Sequence, residues 1–279
     1  MNLNIKLLED FFDKEINMDI GIGGDITSKH VILSEKEVDF QINTRENAVI
    51  SGLFIAEYFF NKYTNINYKL CCHDGDKVSH GQSIIIGRGN AQHILLVERT
   101  ILNFLQHLSG ISSTTNKYVL AIKNNKTKIC DTRKTIPGMR LLQKYAVKCG
   151  GGHNHRFSLD NSILIKDNHI AICGSISKAI KCAKQNAPHY SCIEVECETL
   201  DQVKEALNFE VKIIMLDNMH INDIKEAVKI INGKAITEVS GKVNLDNVNK
   251  IAATGVDYIS IGRLTHSVSA IDLGLDIIL

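Results

Sequence analysis

The 279-residue chain has no Trp and only 2 Pro. It has no apolar run approaching the roughly 20 residues that a bilayer crossing requires, so no membrane partner is expected. The 8 cysteines are scattered, Cys71 and Cys72 are adjacent, and no CxxC occurs. That pattern excludes a disulfide framework and reads as reduced thiols. The opening MNLNIKLLEDFFDKEINMD is amphipathic, carries acids and lacks an apolar core of signal-peptide length. A cytoplasmic protein is expected. Net charge is also scarce, with Lys+Arg 32 against Asp+Glu 31. A nucleic-acid partner, which asks for a broad basic face, is therefore not expected. The remaining 44% hydrophobic and 23% charged residues suit a soluble enzyme with one large α/β domain, or a medium domain and a smaller one.

Against this neutral background, residues 130–170 carry a local positive excess. Arg133, Lys134, Arg140, Lys144, Lys148, Arg156 and Lys166 lie there with His153, His155 and His169. The acids are Asp131, Asp160 and Asp167. Such an excess suits a small anionic ligand.

Along the chain, residues 3–16 place Leu3, Ile5, Leu7, Leu8, Phe11, Phe12 and Ile16 mostly on one face and predict a short helix. GIGGDITS (21–28) lacks the Lys of a phosphate-binding P-loop and reads as a plain turn. From about 35 to 88 the chain alternates as short strands around a helical LFIAEYFFNKY, a small α+β unit. Residues 93–117 predict a long helix crossing between domains. After Asn124 short apolar strands (KTKICDT, SILIKD, CIEVEC, KIIMLDN, AITEVSG, DYISIGR) alternate with helical segments. Strand–helix repeats with continuously apolar strands predict a parallel sheet buried on both faces.

Each of these strands ends in residues able to do chemistry. In order they are Asp131 with Arg133 and Lys134, Lys166 with Asp167, Glu194 and Glu196, Asp217, Glu238 with Ser240 and Gly241, and Gly262 with Arg263. A barrel gathers all such tips at one mouth, whereas an open sheet spreads them along an edge. The predicted fold is therefore an open or partly closed parallel α/β barrel with a smaller N-terminal α/β domain. Glu196 and Asp217 suit a Mg²⁺ ion or the hydroxyls of a ribose; the bland alternative is that they cap helices or pair with Lys166. SGKVN and SIGRLTHS offer backbone N–H groups for a phosphate. Arginine forks suit carboxylates. Lys144 and Lys148 read as a solvated helix face, and His155 reads as a hydrogen-bonding residue more than a metal ligand.

DTRKTIPGMRLLQKYAVKCGGGHNHR followed by ILIKDNHI resembles the signature of quinolinate phosphoribosyltransferases, and GDITS, ENAVISG, ERTILNFLQHLSGIS, IEVEC, IIMLDNM, EVSG and GVDYISIGRLTHS follow in that family's order. The resemblance implies transfer of a phosphoribosyl group from phosphoribosyl pyrophosphate to quinolinate, with loss of CO₂ and with Mg²⁺, in de novo NAD synthesis. It implies an α/β sandwich over 1–104, joined by 266–279, and a barrel over 105–265. Arg133, His155, Arg156 and Lys166 match positions that hold the quinolinate carboxylates, and Lys134 matches one between quinolinate and pyrophosphate. Glu196 and Asp217 match the ribose and Mg²⁺ carboxylates; Ser240, Gly241 and Gly262 match the 5′-phosphate site. Arg99 matches an arginine that enters the neighbouring subunit's site, which implies a homodimer, or a higher oligomer built on one. Lys242 stands where many members have glycine. Two rivals remain: a Schiff-base aldolase using Lys166, and a non-catalytic module that binds phosphate or carboxylate.

Overall fold

The computed structural model describes residues 4–122 and 126–278. Leu3, at the start of the first predicted helix, lies outside the described residues. The chain forms two compact units. One comprises Met1–Thr114, Gly138–Gly151 and Ser267–Leu279, the other Thr115–Pro137 and Gly152–His266.

In the first unit, β1 (Glu37–Thr44), β3 (Asn67–Leu70), β5 (Ser83–Asn90) and β12 (Leu273–Ile278) form an antiparallel sheet ordered β12-β1-β5-β3. A small ribbon pairs β2 (Ala48–Val49) with β4 (Lys77–Val78). The predicted helix over LFIAEYFFNKY runs Leu53–Tyr63 and buries Leu53, Ile55, Ala56, Phe59 and Phe60. Phe12 packs against Phe59 and Phe104 at ring-centroid distances of 5.9 and 5.5 Å, so aromatic contacts supply much of this core. The first predicted helix starts later than expected, as a 3₁₀ turn Ile5–Leu7 and a helix Glu9–Ile20. GIGGDITS is not a turn throughout. Asp25 caps a helix Ile26–Val31, its carboxylate accepting from Ser28 N–H at 3.0 Å.

Where the sequence reading gave 105–265 to the barrel, Gly138–Gly151 clusters with the first unit. Its helix, Arg140–Cys149, explains why. Tyr145 donates to Asp74 at 2.7 Å and meets Phe54 edge-on, while Ser112 donates to the carbonyl of Ala146 at 2.8 Å. The expectation of a solvated Lys144 is wrong. Lys144 is 1% exposed and lies on a buried side that includes Leu142, Gln143, Ala146 and Val147. This side is broader than the apolar stripe of the helix, so polarity misreports it. Lys148 is exposed, as expected.

The second unit is built on β6 (Lys128–Cys130), β7 (Ile163–Ile165), β8 (Ile193–Cys197), β9 (Ile213–Asp217), β10 (Ile236–Ser240) and β11 (Tyr258–Ser260). All neighbouring pairs are parallel, in the order β6-β11-β10-β9-β8-β7. Crossover helices return the chain between strands, as parallel pairing requires. The helix Leu200–Leu207 starts on a capping box of Thr199 and Gln202 and buries Val203 and Ala206. Side chains alternate along each strand. Val195, Cys197, Ile214, Leu216 and Val239 are buried in the core. The alternate positions Leu164, Glu196, Met215, Asp217, Glu238, Ser240 and Ser260 line a cavity. An isolated bridge joins Cys130 to His153 beside β6.

Candidate active site

Residues from the tips of all six parallel strands line one cavity of about 820 Å³. Arg133 and Lys134 follow β6, Lys166 follows β7, Glu196 lies on β8, Asp217 ends β9, Ser240 ends β10 with Gly241 next, and Gly262 follows β11. His155 and Arg156 enter from the segment after the His153 bridge. A flat sheet would string these tips along an edge; their convergence is what a closing barrel produces. Arg99, on the helix Ala91–Ala121 of the first unit, is not among the residues that line this cavity.

The cationic wall has unmet donors. Among the described residues, Nε of Arg133 and Nε of Arg156 are buried and have no hydrogen-bond partner. A buried, unpaired donor costs about 1–3 kcal/mol, and more on a charged group. Both arginines also line the cavity, and guanidinium groups bind carboxylates in parallel N–H pairs. Arg156 is held from behind by a bond from Nη1 to the carbonyl of Ser162 at 2.8 Å. Burial, and then the neighbouring charge of Arg133, lower the pKa of Arg156, against the pull of Glu194 and Glu196.

The loop before Arg156 is fixed by Asp131, which is 0% exposed. Its carboxylate accepts from the His155 backbone N–H at 2.8 Å and from Asn154 Nδ2 at 2.6 Å. Sequence reading marked Asp131 only as a strand-end residue. Its service to the loop was hinted at solely by its place at the tip of β6.

Elsewhere in the lining, Glu196 Oε1 accepts from Lys166 Nζ, the ion pair that was the bland alternative for this carboxylate. Burial raises the pKa of Glu196, Lys166 opposes the rise, and the negative charge of Asp217 adds to it. Asp217 Oδ2 accepts from Asn218 Nδ2 at 2.6 Å. Two carboxylates within electrostatic reach, both facing the cavity, make a donor set of hard oxygens that fits Mg²⁺. Amine nucleophiles are generally desolvated or set beside another cation. Lys166 instead has a carboxylate partner and a side chain 43% exposed, which disfavours a Schiff-base reading.

Glycines close the third side. A Cβ at Gly262 would come within 2.9 Å of Lys134 Cδ, so the bare backbone is what lets that side chain lie across it. Gly241 has φ +90°, and a Cβ there would overlap the Asn218 amide. Lys242 follows with φ 51°, in the left-handed region that a β-carbon disfavours. The loop is cross-linked, with Asn247 Nδ2 donating to the Lys242 carbonyl at 3.0 Å and Asn244 N–H donating to Asn247 Oδ1 at 2.9 Å.

Two family models match the chain, the N-terminal domain of quinolinate phosphoribosyl transferase over residues 25–109 and its C-terminal domain over 111–276. The chain belongs to the quinolinate phosphoribosyltransferase family. Its similarity to that family extends to curated relatives. One, from Bacillus subtilis, is a "Probable nicotinate-nucleotide pyrophosphorylase [carboxylating]" 41% identical over 275 residues, 98% of this chain and 93% of that one. Another of the same name, from Methanocaldococcus jannaschii, is 43% identical over 274 residues, 95% of each. The crystal structure of nicotinate-nucleotide pyrophosphorylase from Ehrlichia chaffeensis superposes with a TM-score of 0.94 at 44% identity, covering 100% of both chains. That from Francisella tularensis also gives 0.94, at 40% identity, covering 99% of this chain and 98% of the other. Quinolinate phosphoribosyltransferase architecture therefore spans both units.

Proposed function

We infer that the chain catalyses the reaction of its family: quinolinate and phosphoribosyl pyrophosphate give nicotinate mononucleotide, pyrophosphate and CO₂, a step of de novo NAD synthesis. The observation that carries the reading is one cavity lined by the cations Arg133, Arg156 and Lys166 together with the carboxylates Glu196 and Asp217. A pyridine diacid answers the cations and an activated sugar phosphate answers the carboxylates.

In this reading Arg133, Arg156, His155 and Lys166 bind the two carboxylates and hold the pyridine nitrogen in line with the anomeric carbon. Positioning of this kind is worth several kcal/mol when a bimolecular step becomes effectively unimolecular. The nitrogen attacks as the bond to pyrophosphate breaks, through a state with cationic character on the sugar. Glu196 and Asp217 orient the ribose and would hold Mg²⁺; the ion, when bound, supplies positive charge against the pyrophosphate. Lys134, lying over Gly262, adds a fixed charge to the same leaving group. The 5′-phosphate is received at Ser240, Gly241 and Gly262, where the absence of side chains lets it approach backbone N–H groups.

Alkylation leaves the pyridine nitrogen positive. The bond to the adjacent carboxylate then breaks, its electron pair is accommodated by the cationic ring, and a proton replaces CO₂. This step asks for no nucleophile or strong base from the protein. Arg99 acts in this scheme from the neighbouring subunit of a homodimer. The 8 cysteines are all free, and among the described residues no helix is long and apolar enough to cross a membrane; the enzyme is proposed to work in the cytoplasm.

The test is to incubate the purified chain with carboxyl-labelled quinolinate, phosphoribosyl pyrophosphate and Mg²⁺. Labelled CO₂ and nicotinate mononucleotide in equal amounts are expected. Binding of both substrates without turnover would instead indicate a binding module.

A further inference from the structure

Behind His155 lie two buried carboxyl groups, Glu194 and Glu238, to which the transfer reaction assigns no task. His155 Nε2 is 3.3 Å from Oε2 and 3.4 Å from Oε1 of Glu194, and 3.4 Å from Oε1 of Glu238. Three carboxyl oxygens thus surround one ring nitrogen. Glu194 is 2% exposed and Glu238 is 4% exposed. Ser260 Oγ donates to Glu238 Oε1, which fixes that carboxyl on the ring side. The backbone of His155 is held independently, by Asp131. The ring therefore cannot turn away from the pair without abandoning both.

Two carboxyl groups out of water need compensating charge, and a cationic imidazole shared between them provides it. Burial and the charge of Glu194 raise the pKa of Glu238, while His155 opposes the rise. Other charged groups near this cluster include Asp131, Arg133, Arg156 and Glu196. We propose that Glu194 and Glu238 are positioning residues that keep the His155 ring cationic and oriented toward the cavity. The ring then serves as a further cation beside Arg133 and Arg156 for the diacid. The proposal rests on the quinolinate reading above. The same three side chains bring their ligand atoms within 4.8 Å of one another, a spacing a divalent ion also accepts. An ion bound there would need a neutral imidazole, so the two states exclude each other.

Steady-state kinetics on the full chain separate these cases. Quinolinate is varied at saturating phosphoribosyl pyrophosphate and the reverse, for the native chain, Glu194→Gln, Glu194→Gln/Glu238→Gln, His155→Asn and His155→Asn/Glu194→Gln. The KM for quinolinate is expected to rise about tenfold in Glu194→Gln and further in the double variant, the range for loss of a charged hydrogen bond. The KM for phosphoribosyl pyrophosphate should stay within about twofold, since independent sites add and coupled ones do not. For the same reason Glu194→Gln should change little in the His155→Asn background. Equal rises in both KM values, an unchanged KM for quinolinate, or full additivity with His155→Asn overturns the proposal. So does metal analysis that finds a stoichiometric ion in the native chain and none in Glu194→Gln. If Glu194→Gln does not fold, Ser260→Ala must give a smaller rise confined to quinolinate, and no rise overturns the proposal. A native chain without turnover overturns the functional reading, and the proposal with it; normal native turnover with unaffected variants overturns the proposal alone.

Discussion

Replacing Asp131 by Asn keeps the size of the side chain and removes its charge. The native carboxylate is fully buried, and the groups it accepts from include the His155 backbone N–H at 2.8 Å and Asn154 Nδ2 at 2.6 Å. An amide can accept with its oxygen but sets its own NH₂ against the second donor. One charge-assisted bond is lost, worth about 1.5–3 kcal/mol, and a partly buried donor is left facing another donor. Asn154 can turn its amide elsewhere, so a total near 3 kcal/mol is expected, toward the lower end of the sum. For a unit of this size that corresponds to a fall in Tm of about 6–12 °C. Thermal unfolding followed by circular dichroism measures it, and the KM for quinolinate should rise in parallel as the His155 loop loosens. A Tm within about 2 °C of the native value would refute the energetic account. A lower Tm with an unchanged KM for quinolinate would refute the link between Asp131 and His155.

Lys134→Ala and Lys166→Ala should both fold, with kcat/KM reduced about 100-fold or more, as for loss of fixed charge at a reacting group; near-native rates in either remove that lysine from the catalytic set. Lys242→Gly should leave stability within about 1 kcal/mol, because relief of the left-handed backbone offsets added freedom in the unfolded chain. The KM for phosphoribosyl pyrophosphate should rise in that variant, and if it does not, Lys242 is no phosphate ligand. Because burial raises the pKa of Glu196, its proton is retained to higher pH than in a free carboxyl, and the ionised form that would hold Mg²⁺ is depleted as pH falls. The Mg²⁺ concentration for half-maximal rate should therefore increase on acidification, and a flat dependence counts against Glu196 as a ligand. Mixing Arg99→Ala with Glu196→Gln should restore some activity through mixed dimers, whereas no recovery would oppose a shared site.

The parallel sheet was legible because both its faces are covered. Segments such as CIEVEC and KIIMLDN read as short strands rich in apolar residues, and they contain the observed β8 and β9. The helix Arg140–Cys149 was harder. It sits in sequence between two barrel segments, yet Tyr145 and Ala146 make their bonds to Asp74 and Ser112 of the first unit. Nothing in local periodicity reports a partner about 70 positions away in sequence. Lys144 failed for a related reason. A lysine on an amphipathic helix is ordinarily solvated, and only tertiary packing can bury it.

The strand-tip residues were legible one at a time, while the layer beneath them was visible only as a parity. Glu194 and Glu196 are two apart on β8, and Glu238 and Ser240 are two apart on β10, so each pair faces the same side. That alternation was available from the sequence and implied two tiers of polar groups inside the barrel. What it could not supply was the registration of the tiers across strands that are not neighbours. His155 reaches Glu194 and Glu238 because the sheet curls and because Asp131 pins the loop carrying it. Curvature is a property of the whole sheet, with no signature in any single strand. The cluster thus marks the boundary between what spacing can predict and what closure must provide. It is also why carboxyls that would be a liability in a flat, dry sheet can be kept in this one.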